Sequence, residues 1–169
     1  MTMKKLLIIG SGEHGHVVRE VAEAIGIYDE IAFADDRDPS AAGTIDEIEQ
    51  LHSRFDSAFV AIGNNAVREK IMGRLREIGY DIPILIHPTA YVSPSAQIEA
   101  GTVIEPLAAV NARAKIGIGC IVSMGALIDH NAVIEPFVHV NTGAVVKGGG
   151  RVKTSRKLEA GEIVFRDRH

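Results

Sequence analysis

The fold of this chain is decided by residues 104–140, which read IEPLAAVNARAKIGIGCIVSMGALIDHNAVIEPFVHV. An Ile or Val stands at every sixth position, and a small or modest side chain follows four residues later. The same register extends to both sides, and its positions are Ile86, Val92, Ile98, Ile104, Val110, Ile116, Val122, Ile128, Ile134, Val140, Val146 and Val152. A period of six fits neither an α-helix nor one long strand, but it fits short strands joined by turns. The repeat therefore predicts a parallel β-helix that takes one β-branched residue per strand into its interior.

Residues 1–85 lack this period and alternate apolar runs with helical patterns. The predicted strands are residues 5–9, 31–34, 58–62 and 82–86, and the predicted helices are residues 17–25, 45–52 and 66–78. This alternation predicts an α/β domain with a parallel sheet. Residues 86–169 form fourteen hexads, three to a coil, with residues 154–169 as either an irregular last coil or a cap. No linker rich in Ser, Gly or Pro separates the halves, so tight packing is expected.

Composition disfavours several classes of protein. The net charge of −4 argues against general binding to nucleic acid or a membrane surface. The single cysteine excludes an internal disulfide and a CxxC metal site. No apolar run reaches the length of about 18 residues that a membrane span needs, and the first apolar run is too short for a signal peptide. We therefore expect a soluble, cytoplasmic protein without a metal.

Three polar segments follow the predicted strands of the α/β half. Residues 10–15, Gly-Ser-Gly-Glu-His-Gly, lie between a strand and a helix, where glycines permit a tight turn and the helix N-terminus favours phosphate. Asp35 and Asp36 follow the second strand, and residues 63–65, Gly-Asn-Asn, follow the third. The carboxyl edge of a parallel sheet is where such domains bind ligands. Each segment alone is also compatible with an ordinary turn or helix cap.

Two histidines stand out in the repeat region. His130 and His139 lie in adjacent hexads, away from the inward positions of the coil. A neutral imidazole can take a proton from an amine or hydroxyl nucleophile, and a second donor can hold a carbonyl. Each residue alone is also compatible with a solvated surface histidine. Cys120 occupies a small-residue position and is assigned to packing.

Together, several segments resemble the NeuD/PglD-like family of hexapeptide-repeat sugar O- and N-acetyltransferases. They are GSGEHGHVV at 10–18, the pair Asp35-Asp36, AIGNNAVREKI at 61–71, LIHPTAYVSPSA at 85–96 and IDHNAVIEPFVHVNTGA at 128–144. The resemblance covers about residues 4–150. It implies a Rossmann-like domain followed by a left-handed parallel β-helix, whereas general crossover rules favour the opposite hand. It also implies a homotrimer with acetyl-CoA in the groove between neighbouring prisms.

The resemblance also implies roles for individual residues. His130 falls on the general base, and His139 on the histidine that contacts the acetyl carbonyl or the thioester end of the cofactor. Gly148 falls where a backbone N–H points towards the oxyanion. The residues that match the sugar-nucleotide site are Gly10, Ser11, Gly12, His14, Gly15, Asp35, Asp36, Gly63, Asn64 and Asn65. Transfer to the sugar would be direct, without an acyl-enzyme or a metal.

The chain departs from the family pattern in two places. Asn131 follows the base where the family has Glu or Asp, and an amide can orient an imidazole without stabilising its charge. Asp129 is another candidate partner, although adjacent strand residues are expected to point to opposite faces. Family members continue for several more coils after the second histidine, with a stretch that grips CoA, whereas this sequence has thirty residues after His139. The basic residues that are left either to bind CoA phosphates or to form a solvated cap are Lys147, Arg151, Lys153, Arg156 and Lys157.

Three functions follow from these observations. The favoured one is an acetyl-CoA-dependent acetyltransferase acting on the amine or hydroxyl of a nucleotide-activated sugar or related glycan precursor. The alternative is a trimeric sugar-nucleotide-binding module that no longer binds CoA. A third, an NAD-dependent enzyme built on the glycine turn, is disfavoured because no substrate domain follows. The sequence does not decide which sugar is used or whether acetylation is on nitrogen or oxygen.

Overall fold

The computed structural model describes residues 4–166, and its first part is a three-stranded parallel sheet with helices around it. The elements are β1 (Lys5–Ile9), α1 (Glu13–Ile25), β2 (Glu30–Ala34), α2 (Ile48–Leu51), β3 (Ser57–Val60) and α3 (Asn65–Ile78). The strand order is β2-β1-β3, as right-handed crossovers from a central first strand produce. The first three predicted strands and the three predicted helices are confirmed, with ends that differ by a few residues.

The predicted fourth strand of this sheet, residues 82–86, is wrong. Only Leu85–Ile86 form a strand, β4, and β4 pairs with the coil that follows rather than with β3. On the edge of β3 away from β1, residues 4–166 form only an isolated bridge between Ser57 and Asp81. Pro83 has no N–H to donate to a ladder, so the aliphatic run leaves the first sheet and enters the second.

The second part is a coil of thirteen two-residue strands. They are β4, β5 (Tyr91–Val92), β6 (Gln97–Ile98), β7 (Val103–Ile104), β8 (Ala109–Val110), β9 (Lys115–Ile116), β10 (Ile121–Val122), β11 (Leu127–Ile128), β12 (Val133–Ile134), β13 (His139–Val140), β14 (Val145–Val146), β15 (Arg151–Val152) and β16 (Ile163–Val164). Parallel partners are eighteen residues apart, as in Val103 and Ile121, so three hexads complete one coil. This is the left-handed parallel β-helix that the resemblance implied.

The prism has three faces. We name one after its junction with the α/β part and the other two after their outward side chains. The junction face consists of β4, β7, β10 and β13; the apolar face of β5, β8, β11, β14 and β16; and the polar face of β6, β9, β12 and β15. Inside the prism, the predicted sixth-position residues are buried from Ile104 to Val152. The first three, Ile86, Val92 and Ile98, are partly buried. The hexad prediction is therefore confirmed.

The α/β part packs on the junction face. The outward side chains of Leu85, Val103 and Ile121 share one core cluster with Leu6 and Ile8 of β1. Residues of α3 and the corner residue Phe137 form a second shared cluster. The two parts are thus joined through continuous apolar contact, as the absence of a flexible linker predicted.

The described part of the last segment is an irregular coil. Leu158 is fully buried in the phase of the repeat, and β16 adds a strand to the apolar face. Residues 167–169 of the predicted cap lie outside the described residues. Among residues 4–166, no helix is long and apolar enough to cross a membrane.

Candidate active site

The glycine turn joins β1 to α1 and is held by Asp35. A Cβ on Gly15 would lie 2.1 Å from the carbonyl oxygen of Gly10, so only glycine permits this approach. The two oxygens of Asp35 accept hydrogen bonds from the backbone N–H groups of Ser11 and Arg37, both at 2.8 Å. These bonds lower the pKa of the Asp35 carboxyl group, the bond from Ser11 most. Asp35 therefore fixes the shape of the turn.

Two other predicted ligands also have partners within the protein. Asp36 Oδ1 accepts a hydrogen bond from the backbone N–H of Ile45 at 2.9 Å. Asn64 caps α3, because its Oδ1 accepts from the backbone N–H of Val67 at 3.1 Å. Gly12 and Gly63 lie in open surroundings, with no atom within 4 Å of where a Cβ would stand. The structure thus places the predicted residues together at the carboxyl edge of the sheet, as the sequence predicted.

Arg68 of α3 connects this edge to the prism, and the sequence analysis did not single it out. Its side chain is 1% exposed. Its guanidinium donates to Gly119 O at 2.8 Å, Ile62 O at 2.8 Å, Gly63 O at 3.4 Å, Asn65 Oδ1 at 2.7 Å and Phe137 O at 3.1 Å. Burial lowers its pKa to about 10, so it remains charged at neutral pH. The sequence signal that could have identified Arg68 is its position on the buried side of α3, together with Ile71, Met72 and Leu75.

His14 and His139 meet beneath the glycine turn, where the α/β part covers the junction face. Their ring centroids are 6.5 Å apart. His14 Nδ1 lies 3.7 Å from Glu105 Oε1, and His139 Nε2 lies 3.0 Å from Ser123 Oγ. His14 Nε2 and His139 Nδ1 are buried and have no hydrogen-bond partner within residues 4–166. Such unpartnered buried polar atoms are uncommon in folded proteins.

Both imidazoles of this cluster are neutral at pH 7. Burial, followed by the charge of Arg68, lowers the pKa of His14 to about 4. Burial also lowers the pKa of His139 to about 4, with smaller contributions from Lys157, His14 and Arg68. Burial raises the pKa of Glu105, which accepts a hydrogen bond from the Met124 N–H. Neutral imidazoles can act as donors and acceptors at once.

His130 stands at a different place, the corner between the apolar and polar faces after β11. Asn131 has a φ of 55°, a left-handed conformation that Asn tolerates better than most residues. The amide nitrogen Nδ2 of Asn131 lies 2.9 Å from His130 Nδ1, a contact that restrains the ring. Asp129 Oδ2 lies 3.9 Å from His130 Nε2. The expectation that residues 129 and 130 diverge was wrong, because they form a corner rather than continue a strand.

Gly148 lies next to this imidazole in the following coil. A Cβ on Gly148 would stand 2.7 Å from His130 Nε2 and 3.2 Å from Asp129 Oδ2. Glycine therefore keeps the space at Nε2 free of a side chain. The N–H of Gly148 contributes to the lowered pKa of Asp129, after the larger contribution of the His130 N–H.

Two grooves flank the corner. The groove on the apolar face has a volume of about 370 Å³ and is lined by Tyr91, Ala109, Asn111, Leu127, Ile128, Asp129, Val145 and Lys147. The groove on the polar face has a volume of about 450 Å³ and is lined by Ser95, Gln97, Arg113, Lys115, Asn131 and Val133. Of the predicted basic residues, Arg151 pairs with Glu135 and Arg156 with Glu162. Lys147 lines the apolar groove directly.

The predicted site residues therefore form two groups within one chain. The α/β residues and His139 lie at the junction face. His130, Asn131 and Gly148 lie at the corner opposite that face, because the apolar and polar faces meet there. The two histidines do not converge. Among residues 4–166, no group of three or more His, Cys, Asp or Glu side chains is placed to hold a metal ion.

Comparisons with known proteins agree with this architecture. The family model described as the PglD N-terminal domain matches residues 5–75. The acetyltransferase domain of PglB from Neisseria gonorrhoeae FA1090, solved with acetyl coenzyme A, is 36% identical, with a TM-score of 0.84 over 98% of this chain and 86% of that one. This chain belongs to the NeuD/PglD-like acetyltransferase family.

Two further members of the family are similar to this chain. UDP-N-acetylbacillosamine N-acetyltransferase from Bacillus subtilis (strain 168) is 37% identical over 113 residues, which are 60% of this chain and 51% of that protein. The match thus spans about half the length of that curated relative. A His-to-Asn variant of perosamine N-acetyltransferase from Caulobacter crescentus, solved with CoA and GDP-perosamine, is 28% identical, with a TM-score of 0.88 over 98% of this chain and 90% of that one.

Proposed function

We propose that this protein transfers the acetyl group of acetyl-CoA to a nucleotide-activated amino sugar. The observation that carries the proposal is the corner at His130, where Nε2 faces a space kept free by Gly148 and an adjacent groove. The structural relatives support it, since one was solved with acetyl coenzyme A and another with CoA and GDP-perosamine. Because acetyl-CoA and nucleotide sugars are cytoplasmic metabolites, the proposal also fits the cytoplasmic location predicted from the sequence.

The groove on the apolar face suits the thioester arm of acetyl-CoA. Tyr91, Leu127 and Val145 give it an apolar wall, and Lys147 adds a cation at its edge. An elongated, mostly uncharged arm with phosphates at its far end matches such a lining. We place the thioester end at His130, where the groove reaches the corner.

The glycine turn suits the nucleotide part of the acceptor. Gly12 precedes α1, whose first N–H groups and dipole favour phosphate. The open surroundings of Gly12 and Gly63 let a ligand approach the backbone closely. Below the turn, the buried imidazoles of His14 and His139 close the site from beneath. In this proposal His139 binds at the junction face and not beside His130 of its own chain.

His130 acts as the general base in this proposal. For Nε2 to accept a proton, Nδ1 must carry one and donate it to an acceptor. In the structure the amide nitrogen Nδ2 of Asn131 lies 2.9 Å from Nδ1. Rotation of the amide by 180° places its oxygen there instead, where it accepts that hydrogen bond. Asn131 thereby selects the tautomer that base catalysis requires, without a negative charge.

The separation of the two groups supports a homotrimer. Because the glycine turn and His130 lie on opposite sides of one prism, a second copy must bring its glycine turn to the His130 corner. Tyr91, Leu127 and Ile163 of the apolar face are all exposed, and such a column is expected to be covered in an assembly. Threefold closure, as the family resemblance implied, gives each of three copies one complete site. Light scattering during size-exclusion chromatography is expected to give three times the mass of one chain.

A ligand panel and a transfer assay test the function. Thermal shift is measured with acetyl-CoA, CoA, GDP-perosamine, a UDP-linked amino sugar and NAD. The proposal expects stabilisation by CoA ligands and by at least one amino sugar nucleotide, and acetylated sugar detected by mass spectrometry. Stabilisation by the sugar nucleotides without any by CoA would instead establish the sugar-nucleotide-binding module. Stabilisation by NAD alone would overturn both.

A further inference from the structure

The two carboxylate oxygens of Asp129 have different partners. Its Oδ1 accepts hydrogen bonds from the His130 N–H at 2.6 Å and from Asn111 Nδ2 at 3.0 Å. Its Oδ2 lies 3.9 Å from His130 Nε2, and the side chain is 40% exposed. Because the N–H of His130 and further hydrogen bonds hold the pKa of Asp129 below its usual range, the carboxylate is charged at neutral pH. A fixed negative oxygen thus stands beside the proposed base.

A cation from the protein does not neutralise this oxygen. Lys147 lines the same groove as Asp129, but no ion pair joins the two side chains among the described residues 4–166. The nearest basic group is the His130 ring itself, which is 57% exposed in its side chain. Oδ2 is therefore available to a ligand that reaches Nε2.

One ligand atom can contact both Nε2 and Oδ2, since the two are 3.9 Å apart and hydrogen bonds span about 2.7–3.2 Å. A hydroxyl has a single hydrogen. If it donates that hydrogen to Nε2, as base catalysis requires, its oxygen presents only lone pairs to the carboxylate. An ammonium or amine has a further hydrogen for Oδ2, and the ammonium is also attracted by the charge.

We propose that Asp129 makes the His130 corner selective for an amine over a hydroxyl as the acetyl acceptor. The inference rests on the proposed acetyltransferase function and names the acceptor group that the sequence left open. Asp129 is in this view a specificity-determining residue that contacts the acceptor nitrogen. Its partner Asn111 keeps Oδ1 occupied and so turns Oδ2 towards the ligand.

The groups at the corner account for each proton and bond of the acetyl transfer. The sugar ammonium gives one proton to His130 Nε2 and keeps a hydrogen bond to Asp129 Oδ2, which leaves the nitrogen lone pair free. The nitrogen attacks the thioester carbon, the N–C bond forms and the C–S bond breaks. The second proton lost by nitrogen goes to the leaving thiolate. The products are the amide and free CoA thiol, and Nε2 releases its proton to water.

The test compares two acceptors on the same protein. They are an amino sugar nucleotide that the transfer assay accepts and its analogue with a hydroxyl in place of the amine. Calorimetric titration is expected to show about tenfold tighter binding of the amine by the wild-type protein, as for a partly exposed charge-assisted hydrogen bond. In Asp129→Asn this ratio falls to about one, with hydroxyl-analogue affinity unchanged within about twofold. The kcat/KM for the amine is expected to fall at least tenfold.

The ratio of two ligands separates selectivity from stability, because a general loss of structure weakens both. Glu135→Gln is the matched control: Glu135 also binds a corner N–H, that of Thr154 at 2.9 Å, but on the other side of the polar face. It is expected to leave the amine-to-hydroxyl ratio unchanged. An unaltered ratio in Asp129→Asn would overturn the inference while leaving the acetyltransferase proposal intact. Absence of transfer by the wild-type protein would overturn the acetyltransferase proposal instead.

Discussion

Arg68 is expected to be the residue whose loss costs this protein most stability. In Arg68→Met a shorter, uncharged side chain replaces the arginine, and Gly119 O, Phe137 O and Ile62 O each lose a charged donor at 2.8 to 3.1 Å. Each such bond contributes about 1.5–3 kcal/mol, and relief from burying the charge offsets part of the sum. We expect a net loss of about 4 kcal/mol, or roughly 8–16 °C in Tm for a chain of this size.

Urea denaturation followed by circular dichroism measures this loss. Arg76→Met is the control, because Arg76 is an exposed arginine in the last turn of the same helix and is expected to contribute less than about 0.5 kcal/mol. A loss below about 1 kcal/mol in Arg68→Met would refute the claim that this guanidinium holds α3 to the prism.

Three further outcomes are expected. Because the pKa values of His14 and His139 are lowered from 6.5 to about 4 in the folded protein, the unfolded chain binds protons first as the pH falls. The free energy of unfolding should therefore drop by roughly 3 kcal/mol for the two residues together between pH 6.5 and 4, after allowance for solvent screening. Urea titrations should show a free energy of unfolding that is constant above pH 6.5, and that depends less on pH in the double His→Gln variant. A free energy of unfolding that stays constant throughout would contradict the lowered pKa values of the two histidines. Gly148→Ala places a Cβ 2.7 Å from the His130 imidazole and should lower kcat about 100-fold with little change in Tm. Gly73→Ala, which meets nothing within 4 Å, should leave kcat unchanged, and equal kcat values in the two variants would show that the imidazole is not confined. Asn131→Asp should raise kcat several-fold, because a carboxylate stabilises the imidazolium as it forms and Asp also tolerates the left-handed corner; an unchanged or lower kcat would refute that role.

The β-helix was predictable because its six-residue period recurs in every coil. Inward residues such as Val122 and Ile134 recur at every sixth position, so one misassigned residue cannot shift the predicted register of the strands. The sheet that residues 82–86 join was not predictable in the same way. Their aliphatic run suits a strand in either sheet, and only the pairing of Leu85 with Val103 decides between them.

The corner at His130 was partly predictable. The sequence identified the imidazole and the amide of Asn131, which are neighbours in the chain. It did not place Asp129 beside Nε2, because strand alternation was applied to a residue that begins a turn. The proximity of His14 and His139 depends on how the α/β part docks on the junction face, and local patterns carry no information on that docking.

The most direct measurement of the central claim is steady-state acetyl transfer by His130→Ala. With acetyl-CoA and an accepted amino sugar nucleotide, kcat is expected to fall at least 100-fold, while thermal stabilisation by both ligands persists. His52→Ala, which removes a ring packed on Tyr80 in the α/β part, should keep wild-type kcat. Full turnover by His130→Ala would contradict the assignment of the base and, with it, the mechanism proposed for this corner of the prism.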